Sequence, residues 1–308
     1  MTPPDERQGR GWVENIQVKT VLMPKKCEDD GQVVVIVHSH AKNAEMRSSQ
    51  RNAANINKKN KNLKFVFVVF HHEGSERSVR QEHQQHRDIL LGDLTESYHH
   101  LIYKHMTGLR WVRTHCPANR IIKMDDDIYV NFPSLLRLVS PNIPVSGGSS
   151  WMMGLLQVSL PVLRSNSSKW AVSEEDWSED HYPDFLSGWC YVASATSVKL
   201  MVEMLDTQKN IFWIDDVMMT GVVAPSVGIT LASLNSYYTV FKSDLDCCLA
   251  RAPSVRCSHL VGPTSHSPGL LTALAERDSQ CQRWSCTADS LPCPRHDMAR
   301  GRGEVITV

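Results

Sequence analysis

Apolar residues fall along this chain in short unbroken runs, separated by longer polar stretches with a helical spacing. "QVVVIVHSH" (Gln32 to His40) is apolar and β-branched and ends in polar residues, the pattern of a strand buried on both faces. "AEMRSSQRNAANIN" then reads as a helix, with Arg47 and Arg51 one turn apart on one face. "LKFVFVVF" (Leu63 to Phe70) is a second buried strand, and "VRQEHQQHRDIL" is a polar helix. "ESYHHLIYKHMTGLRWVRTHC" (Glu96 to Cys116) reads as a longer helix with an apolar stripe of Tyr98, Leu101, Ile102, Leu109 and Val112. "RIIKM" is a third strand, and "NFPSLLRLV" opens another helix. Strands alternating with helices predict an α/β fold with a mostly parallel central sheet flanked by helices. In such sheets ligands bind beyond the carboxyl ends of the strands, where His38 to His40 and Asp125 to Asp127 both fall. Residues 1–30 read as an irregular N-terminal segment and 31–248 as the α/β domain. Residues 249–308, rich in Ser, Pro, Arg and Cys and without periodicity, read as a tail that is largely loop or disordered. Removing the chain beyond about Cys281 is therefore expected to leave the fold intact.

Composition narrows the partners. The 308 residues carry 33 Lys plus Arg against 33 Asp plus Glu, so no global charge draws nucleic acid or an anionic membrane. The basic cluster Lys58, Lys59, Lys61 and Lys64 reads as a solvated loop. The chain has 9 cysteines, and Cys247, Cys248, Cys257, Cys281, Cys286 and Cys293 crowd its last quarter. Their spacing does not form a paired C-x-x-C zinc framework, so disulfides in an oxidising compartment are expected. Asn166-Ser167-Ser168, a glycosylation sequon, agrees with a secretory location. Against this, no window has the apolar length of a membrane helix, and the opening "MTPPDERQGRG" lacks the core of a signal peptide.

The chemistry sits in "IIKMDDDIYVN". Three adjacent carboxylates repel one another and are poor β-formers, a costly way to end a strand unless something positive sits among them. In extended chain Asp125 and Asp127 point one way and Asp126 the other. Two carboxylates side by side suit a hard divalent cation such as Mg²⁺ or Mn²⁺; a solvated acidic turn or a helix N-cap is the plain alternative. An EF-hand is excluded, because neither Gly nor Glu follows at the required positions. A D-x-D phosphatase wants Thr or Val where the chain has Tyr129. A second acidic pair, Asp215 and Asp216, follows an apolar stretch in "FWIDDVMMTG", and one of two close carboxylates is usually held near neutrality or used in chemistry.

From about Val33 to about Ile229 the sequence resembles the family 31 glycosyltransferases, the β-1,3-galactosyl- and β-1,3-N-acetylglucosaminyltransferases of the Golgi. "RSSQRNA" is similar to the family's R-x-A-I-R-x-T-W, and "DILLGDLTESYHHLIYKHMTGLRWVRTHCP" to its D-I-L-x-x-D-F-x-D-S-Y-x-N-L-T-x-K-T stretch followed by W-x-x-x-x-C-P. "KMDDDIYVN" resembles K-x-D-D-D-V-F-V-N. "SKWAVS" and "YPDFLSGWCYVAS" are close to K-W-x-V-S and Y-P-x-Y-x-S-G-x-G-Y-V-x-S, and "WIDDVMMTGVVA" matches E-D-V-x-x-G. Any one of these is weak; together, in order and at family spacing, they are specific. Ala54 stands where the family has Trp, His100 and Ile102 replace the Asn and Thr of N-L-T, and Trp189-Cys190 replaces the glycine-bearing G-x-G pattern.

The resemblance implies a GT-A-like nucleotide-sugar transferase fold and an inverting hexosyltransferase. Such an enzyme moves galactose or N-acetylhexosamine from a UDP-sugar to a hydroxyl of a glycan acceptor on glycoprotein or glycolipid, forming a β-1,3 linkage. It implies Mn²⁺ (or Mg²⁺) on Asp127, with Asp125 beside it and Asp126 near the ribose or behind the metal. His259 is implied as a late metal ligand, with His266 the other candidate in "RCSHLVGPTSHSP". Arg47 and Arg51 are candidate nucleotide contacts, Asp216 the candidate base, and Tyr182, Phe185 and Trp189 the candidate acceptor side, with Lys169 and Trp170 bordering the cleft. Family members are type II membrane proteins of the Golgi lumen; their anchor is missing here, so the chain is expected to be trimmed. Cys116, in "HCP", is expected to be disulfide-bonded. A catalytically silent partner protein of the same fold is the rival reading, and a metal-dependent phosphatase a more distant one.

Overall fold

The computed structural model describes residues 11–28, 32–56, 62–139, 150–165, 167–252, 254–284 and 286. The expected glycosylation residue Asn166, the lysines Lys58, Lys59 and Lys61, and the chain beyond residue 286 lie outside the described residues. In chain order the elements are β1 (Trp12–Glu14), β2 (Thr20–Leu22), β3 (Val33–His38), α1 (Ala44–Ile56), β4 (Leu63–His71), α2 (Glu76–His86), β5 (Ile89–Thr95), α3 (Leu101–His115), β6 (Arg120–Asp125), β7 (Ile128–Val130) and α4 (Phe132–Leu138). There follow β8 (Trp151–Gln157), β9 (Phe185–Ser194), α5 (Ala195–Leu205), β10 (Asn210–Phe212), a π-helical turn (Val217–Val223), α6 (Ala224–Ser226), β11 (Thr230–Ser233), α7 (Lys242–Ala250), β12 (Val261–Pro263) and α8 (Pro268–Trp284).

The apolar runs do form the sheet. Successive residues of β3 and β4 turn to opposite faces: Val34, Ile36, Val66 and Val68 pack on the α3 side, and Val33, Val35, Phe65 and Phe67 on the other. Both faces are covered, which is why these strands are apolar without alternation. The main sheet runs β11-β8-β9-β6-β3-β4-β5-β2. Its centre β6-β3-β4-β5 is parallel, whereas β9 is antiparallel to both β6 and β8, and β2 antiparallel to β5. The sheet is thus mixed, parallel through its centre as expected and with antiparallel pairings toward its edges. The antiparallel flank escaped the sequence reading because "WMMGLLQ" in β8 lacks β-branched residues.

The order also locates the site. From β3 the chain moves out through β4 and β5, then returns to the other side of β3 as β6. The strand order reverses between β3 and β6, where His38 and Asp125 are Cα partners. This is the switch point at which open α/β sheets bind ligands. Helix α3 lies close over it: a Cβ added to Gly108 would sit 2.8 Å from Ile36 Cγ2. Of its expected stripe, Ile102, Leu109 and Val112 are buried, but Tyr98 stands outside the helix in a 3₁₀ turn and is 40% exposed.

The described parts of both end segments carry regular structure that their composition does not suggest. Within 1–30, β1 pairs with β10 and β2 edges the main sheet, and Cys27 is disulfide-bonded to Cys116. Within 249–286, β12 pairs with β7, and α8 packs against α1 with Leu270, Leu271 and Leu274 buried. Disulfides join Cys248 to Cys257 and Cys281 to Cys286. Helix α8 buries polar groups too: Arg277 donates to the carbonyls of Arg251, Ala252 and Val255, and Tyr129 hydrogen-bonds Asp278. Those buried charges interrupt the apolar spacing by which a helix is recognised. Leu274→Ala is expected to cost about 2–5 kcal/mol in urea unfolding, a loss that a loose tail could not produce.

Candidate functional site

The three aspartates do not continue the strand. Asp125 ends β6, while Asp126 and Asp127 form the turn into β7, so their side chains take three different environments rather than alternating faces. Asp125 is 40% exposed, its Oδ1 accepting from Lys123 Nζ at 3.0 Å. Asp126 is buried; its Oδ2 accepts from Ser39 Oγ at 2.6 Å and Asn43 Nδ2 at 3.1 Å. That carboxylate braces the β3–α1 loop and is not open to a ribose. Asp127 is half-buried, its side chain 14% exposed. Burial, then the charges of Asp125 and Asp126, push its carboxyl up to about 6.

The loop after β12 is clamped onto this turn. Thr264 donates twice to the carbonyl of Asp127, from N at 2.9 Å and from Oγ1 at 2.6 Å. The next two residues, Ser265 and His266, have φ of 50° and 53°, a left-handed conformation that non-glycine residues adopt at a cost. It brings His266 Nε2 to 3.5 Å from Asp127 Oδ2, with the imidazole 67% exposed. His259, the residue first expected here, is buried. Among the described residues no three His, Cys, Asp or Glu side chains gather closely enough to hold a metal unaided. Asp127 and His266 still fit a divalent cation of the Mg²⁺ or Mn²⁺ kind. Such ions are commonly held by one or two protein groups and complete their shell with substrate phosphates and water. The crowded negative charge at Asp127 is what such an ion relieves.

Arg47 and Arg51 occupy a different place from the one the sequence suggested. Arg47 is fully buried, and each of its N–H groups is engaged. Nε and Nη2 donate to Glu82 at 2.9 and 2.6 Å, Nη1 to Ser39 Oγ at 2.9 Å and His40 O at 2.7 Å, and Nη2 also to Ala41 O at 3.3 Å. Arg51 donates to Asp88 and Glu82 and stacks over Phe67. The Arg47 guanidinium has no donor to spare for a phosphate, and Arg51 spends its Nε and Nη2 on carboxylates. Arg47 instead holds Ser39, which in turn holds Asp126, so the arginine shapes the acidic turn from behind.

The second acidic pair faces the first across Lys123. This lysine is fully buried; its Nζ lies 3.0 Å from Asp125 and 4.0 Å from Asp215 and donates to the carbonyl of Gly188. Despite its burial, those carboxylates raise its proton affinity and keep it charged. Asp215 accepts from His105 Nδ1 at 2.9 Å. Although burial acts against it, that bond and Lys123 hold Asp215 below the usual carboxylate range. Asp216 caps the π-helical turn, accepting from Val217 N at 2.9 Å and Gly188 N at 3.2 Å. Burial and the adjacent Asp215 push Asp216 up to about 7. Gly188 is needed here for close approach: a Cβ on it would meet Asp216 Cβ at 3.1 Å.

The expected acceptor aromatics divide. Tyr182 and Phe185 are buried in the core beside Trp177 and Phe212, so they are not free to stack on a sugar. Trp189 is half-buried against Tyr238. The aromatic surface at the acidic pair is another one. Trp170 Nε1 donates to the hydroxyl of Tyr98, Lys169 Nζ sits over both rings at 4.4 and 5.2 Å, and Tyr98 packs edge-on against Trp213, three residues ahead of Asp216. Burial, with the charges of Asp215, Asp216 and Asp125 behind it, raises the proton affinity of the Tyr98 hydroxyl. Sequence reasoning missed Tyr98 because it was assigned to a helix's buried stripe.

Compared with known families, the chain matches the model described as Galactosyltransferase over residues 44–235. The human lactosylceramide 1,3-N-acetyl-beta-D-glucosaminyltransferase is 29% identical over 217 residues, covering 67% of this chain and 57% of that protein. The Rattus norvegicus protein of the same name is 30% identical over the same span. Beta-1,3-galactosyltransferase 5 of Pan paniscus is 28% identical over 235 residues, 75% of this chain and 76% of that protein. The chain thus spans a little over half the length of the lactosylceramide relatives. Among solved structures, a glycosyltransferase involved in glycosylation of the major capsid of PBCV-1 aligns with 82% of this chain and 99% of its own at a TM-score of 0.40 and 10% identity.

Proposed function

Because this chain belongs to the galactosyltransferase family, family 31 of the glycosyltransferases, we propose that it is an inverting hexosyltransferase. It takes galactose or N-acetylhexosamine from a UDP-sugar and adds it to a glycan hydroxyl of a glycolipid or glycoprotein, forming a β-1,3 linkage. The relatives named for those reactions support it. The observation that carries the chemistry is the contrast between Asp215 and Asp216. One carboxylate is held ionised by His105 and Lys123, and its neighbour is pushed to about 7. A group with that proton affinity takes and returns protons at neutral pH, as a general base must.

Asp216 removes the proton of the acceptor hydroxyl as the oxygen attacks the anomeric carbon, and UDP leaves from the opposite face. Asp127 and His266 would hold a divalent cation, Mn²⁺ or Mg²⁺, which would supply positive charge for the departing diphosphate. Asp125, exposed and backed by Lys123, faces the donor; Lys123 keeps the donor side and the base side at a fixed separation. Arg47 and Asp126 preserve the turn and touch no substrate. The exposed face of Tyr98 with Trp170, beside the acidic pair, is the acceptor platform that Tyr182 and Phe185 cannot provide. Stacking on such rings orients the sugar hydroxyl toward the base. The α/β body spans 31–248, extended by β12 and α8. The disulfides suit the oxidising lumen of the Golgi, with a type II membrane attachment outside the described residues; among those no helix is long and apolar enough to cross a membrane.

Incubation with Mn²⁺, a panel of UDP-sugars and lactose-terminated acceptors tests this. Transfer of one hexose, with the new linkage assigned by NMR, is expected. UDP-sugar binding without transfer or hydrolysis would favour a silent partner protein, and phosphomonoester cleavage a phosphatase.

A further inference from the structure

His105 lies on the face of α3 that presses on the sheet, one turn before Gly108, and is fully buried. Both ring nitrogens are engaged: Nδ1 is 2.9 Å from Asp215 Oδ2, and Nε2 is 2.6 Å from the Tyr191 hydroxyl. An ionised carboxylate only accepts, so Nδ1 carries the ring proton and Nε2 accepts from the tyrosine O–H. Burial keeps the imidazole neutral and the tyrosine protonated, which agrees with that assignment. A continuous chain of donors thus runs from Tyr191 on β9, through His105 on α3, to Asp215. It ends beside Asp216, yet His105 itself is sealed from any substrate.

We propose that His105 is a positioning residue for sugar transfer, fixing through Asp215 the place and charge of the carboxylate against which Asp216 works. This rests on the reading of Asp216 as the base. Two adjacent carboxylates resist being ionised together, yet the working enzyme needs Asp216 deprotonated while Asp215 is still charged. Asp215 must therefore have its charge met from its other side. The groups that face it there are His105 from α3 and Lys123 from β6, the latter shared with Asp125. His38 from β3 meets the His105 ring edge-on at 5.3 Å but has no bond to Asp215, and Tyr98 lies on the solvent side. Lys123 stands at 4.0 Å, too far for a hydrogen bond, so His105 is the side chain that fixes the orientation of Asp215.

Two variants of similar polarity separate this from a packing role. His105→Asn places an amide N–H where Nδ1 stands and keeps a donor for Asp215. His105→Gln carries its amide toward Tyr191 and leaves Asp215 without one. The Gln variant is expected to lose about 10–100-fold in kcat, the size of a hydrogen bond to a charged group, with KM for the UDP-sugar within a few-fold. The Asn variant should stay within a few-fold of wild type. In the Gln variant the acid limb of the pH–rate profile should move to higher pH, because loss of a donor disfavours the doubly ionised pair. Equal kcat for the two variants, or a loss confined to KM, overturns the proposal. Should His105→Gln fail to fold, Asp215→Asn takes its place: a similar fall in kcat is expected, and wild-type kcat overturns the role. Wild-type transfer is measured in the same assay. Its absence removes the assigned activity and this inference with it, whereas normal transfer by the Gln variant removes this inference alone.

Discussion

Asp216→Asn is expected to lower kcat by about 10²–10⁴, the usual cost of losing a general base, while UDP affinity in Mn²⁺ stays within a few-fold of wild type. Oδ1 accepts from Val217 N and Oδ2 from Gly188 N, so the amide keeps one of the two bonds. With its oxygen toward Val217 N the cap of the π-helical turn survives, and only the longer bond from Gly188 N is lost. What the variant lacks is a group able to take a proton. The wild type should show the complementary pH behaviour. A base must be deprotonated to work, and Asp216 is pushed to about 7 by burial and by Asp215. The rate should therefore rise with pH through about 7 and fall below it. In Asp216→Asn that limb should vanish from whatever rate remains. Transfer at the wild-type rate would end the role; loss of UDP binding would move Asp216 to the donor side.

Why so much of the site could be read from sequence, and why parts of it could not, follows from the range of the interactions involved. Val33 to Val37 and Phe65 to Phe70 announce buried strands because each residue's burial is a local consequence of the run. The reversal of strand order then follows from connectivity, and it sets the acidic turn beside the end of β3. Arg47 and Arg51 looked available because a sequence shows a charge but not its partner. Glu82 and Asp88 lie on or just beyond another helix, and only folding brings them together. His105 was hidden for the opposite reason. It falls among apolar positions of an amphipathic helix, and its value lies in a carboxylate and a phenol brought from distant strands and loops. Tyr182 and Phe185 carry the right chemistry for stacking on a sugar, but "YPDF" leads into β9 and its rings are spent in the core. Helix α8 failed to register because Arg277 and Asp278 are buried polar residues, satisfied by carbonyls and Tyr129 that no local pattern reveals.

Asp127→Ala should behave differently from Asp216→Asn. Asp127 sits on a turn whose carbonyl is held by Thr264 and whose neighbour Asp126 is held by Ser39 and Asn43, so the backbone survives loss of the side chain. Removing the carboxylate takes away one of the two protein groups offered to the cation and leaves His266 alone. Mn²⁺-dependent UDP binding and transfer should then fall together, transfer by at least about 10²–10³, and added Mn²⁺ should recover part of both. Thermal stability should hold or rise slightly, since the variant removes a half-buried carboxylate that is crowded by Asp125 and Asp126. Calorimetric titration of UDP with and without Mn²⁺, beside transfer rates, reads both effects. If Asp127→Ala bound UDP in Mn²⁺ like the wild type but no longer transferred sugar, the acidic turn would be acting on the reacting sugar rather than on the metal. The geometry argues for the metal: Asp127 shares its turn with His266, which is held toward it in a costly backbone conformation, while Asp216 lies beyond Lys123 and Gly188 with no imidazole open to solvent bonded to it.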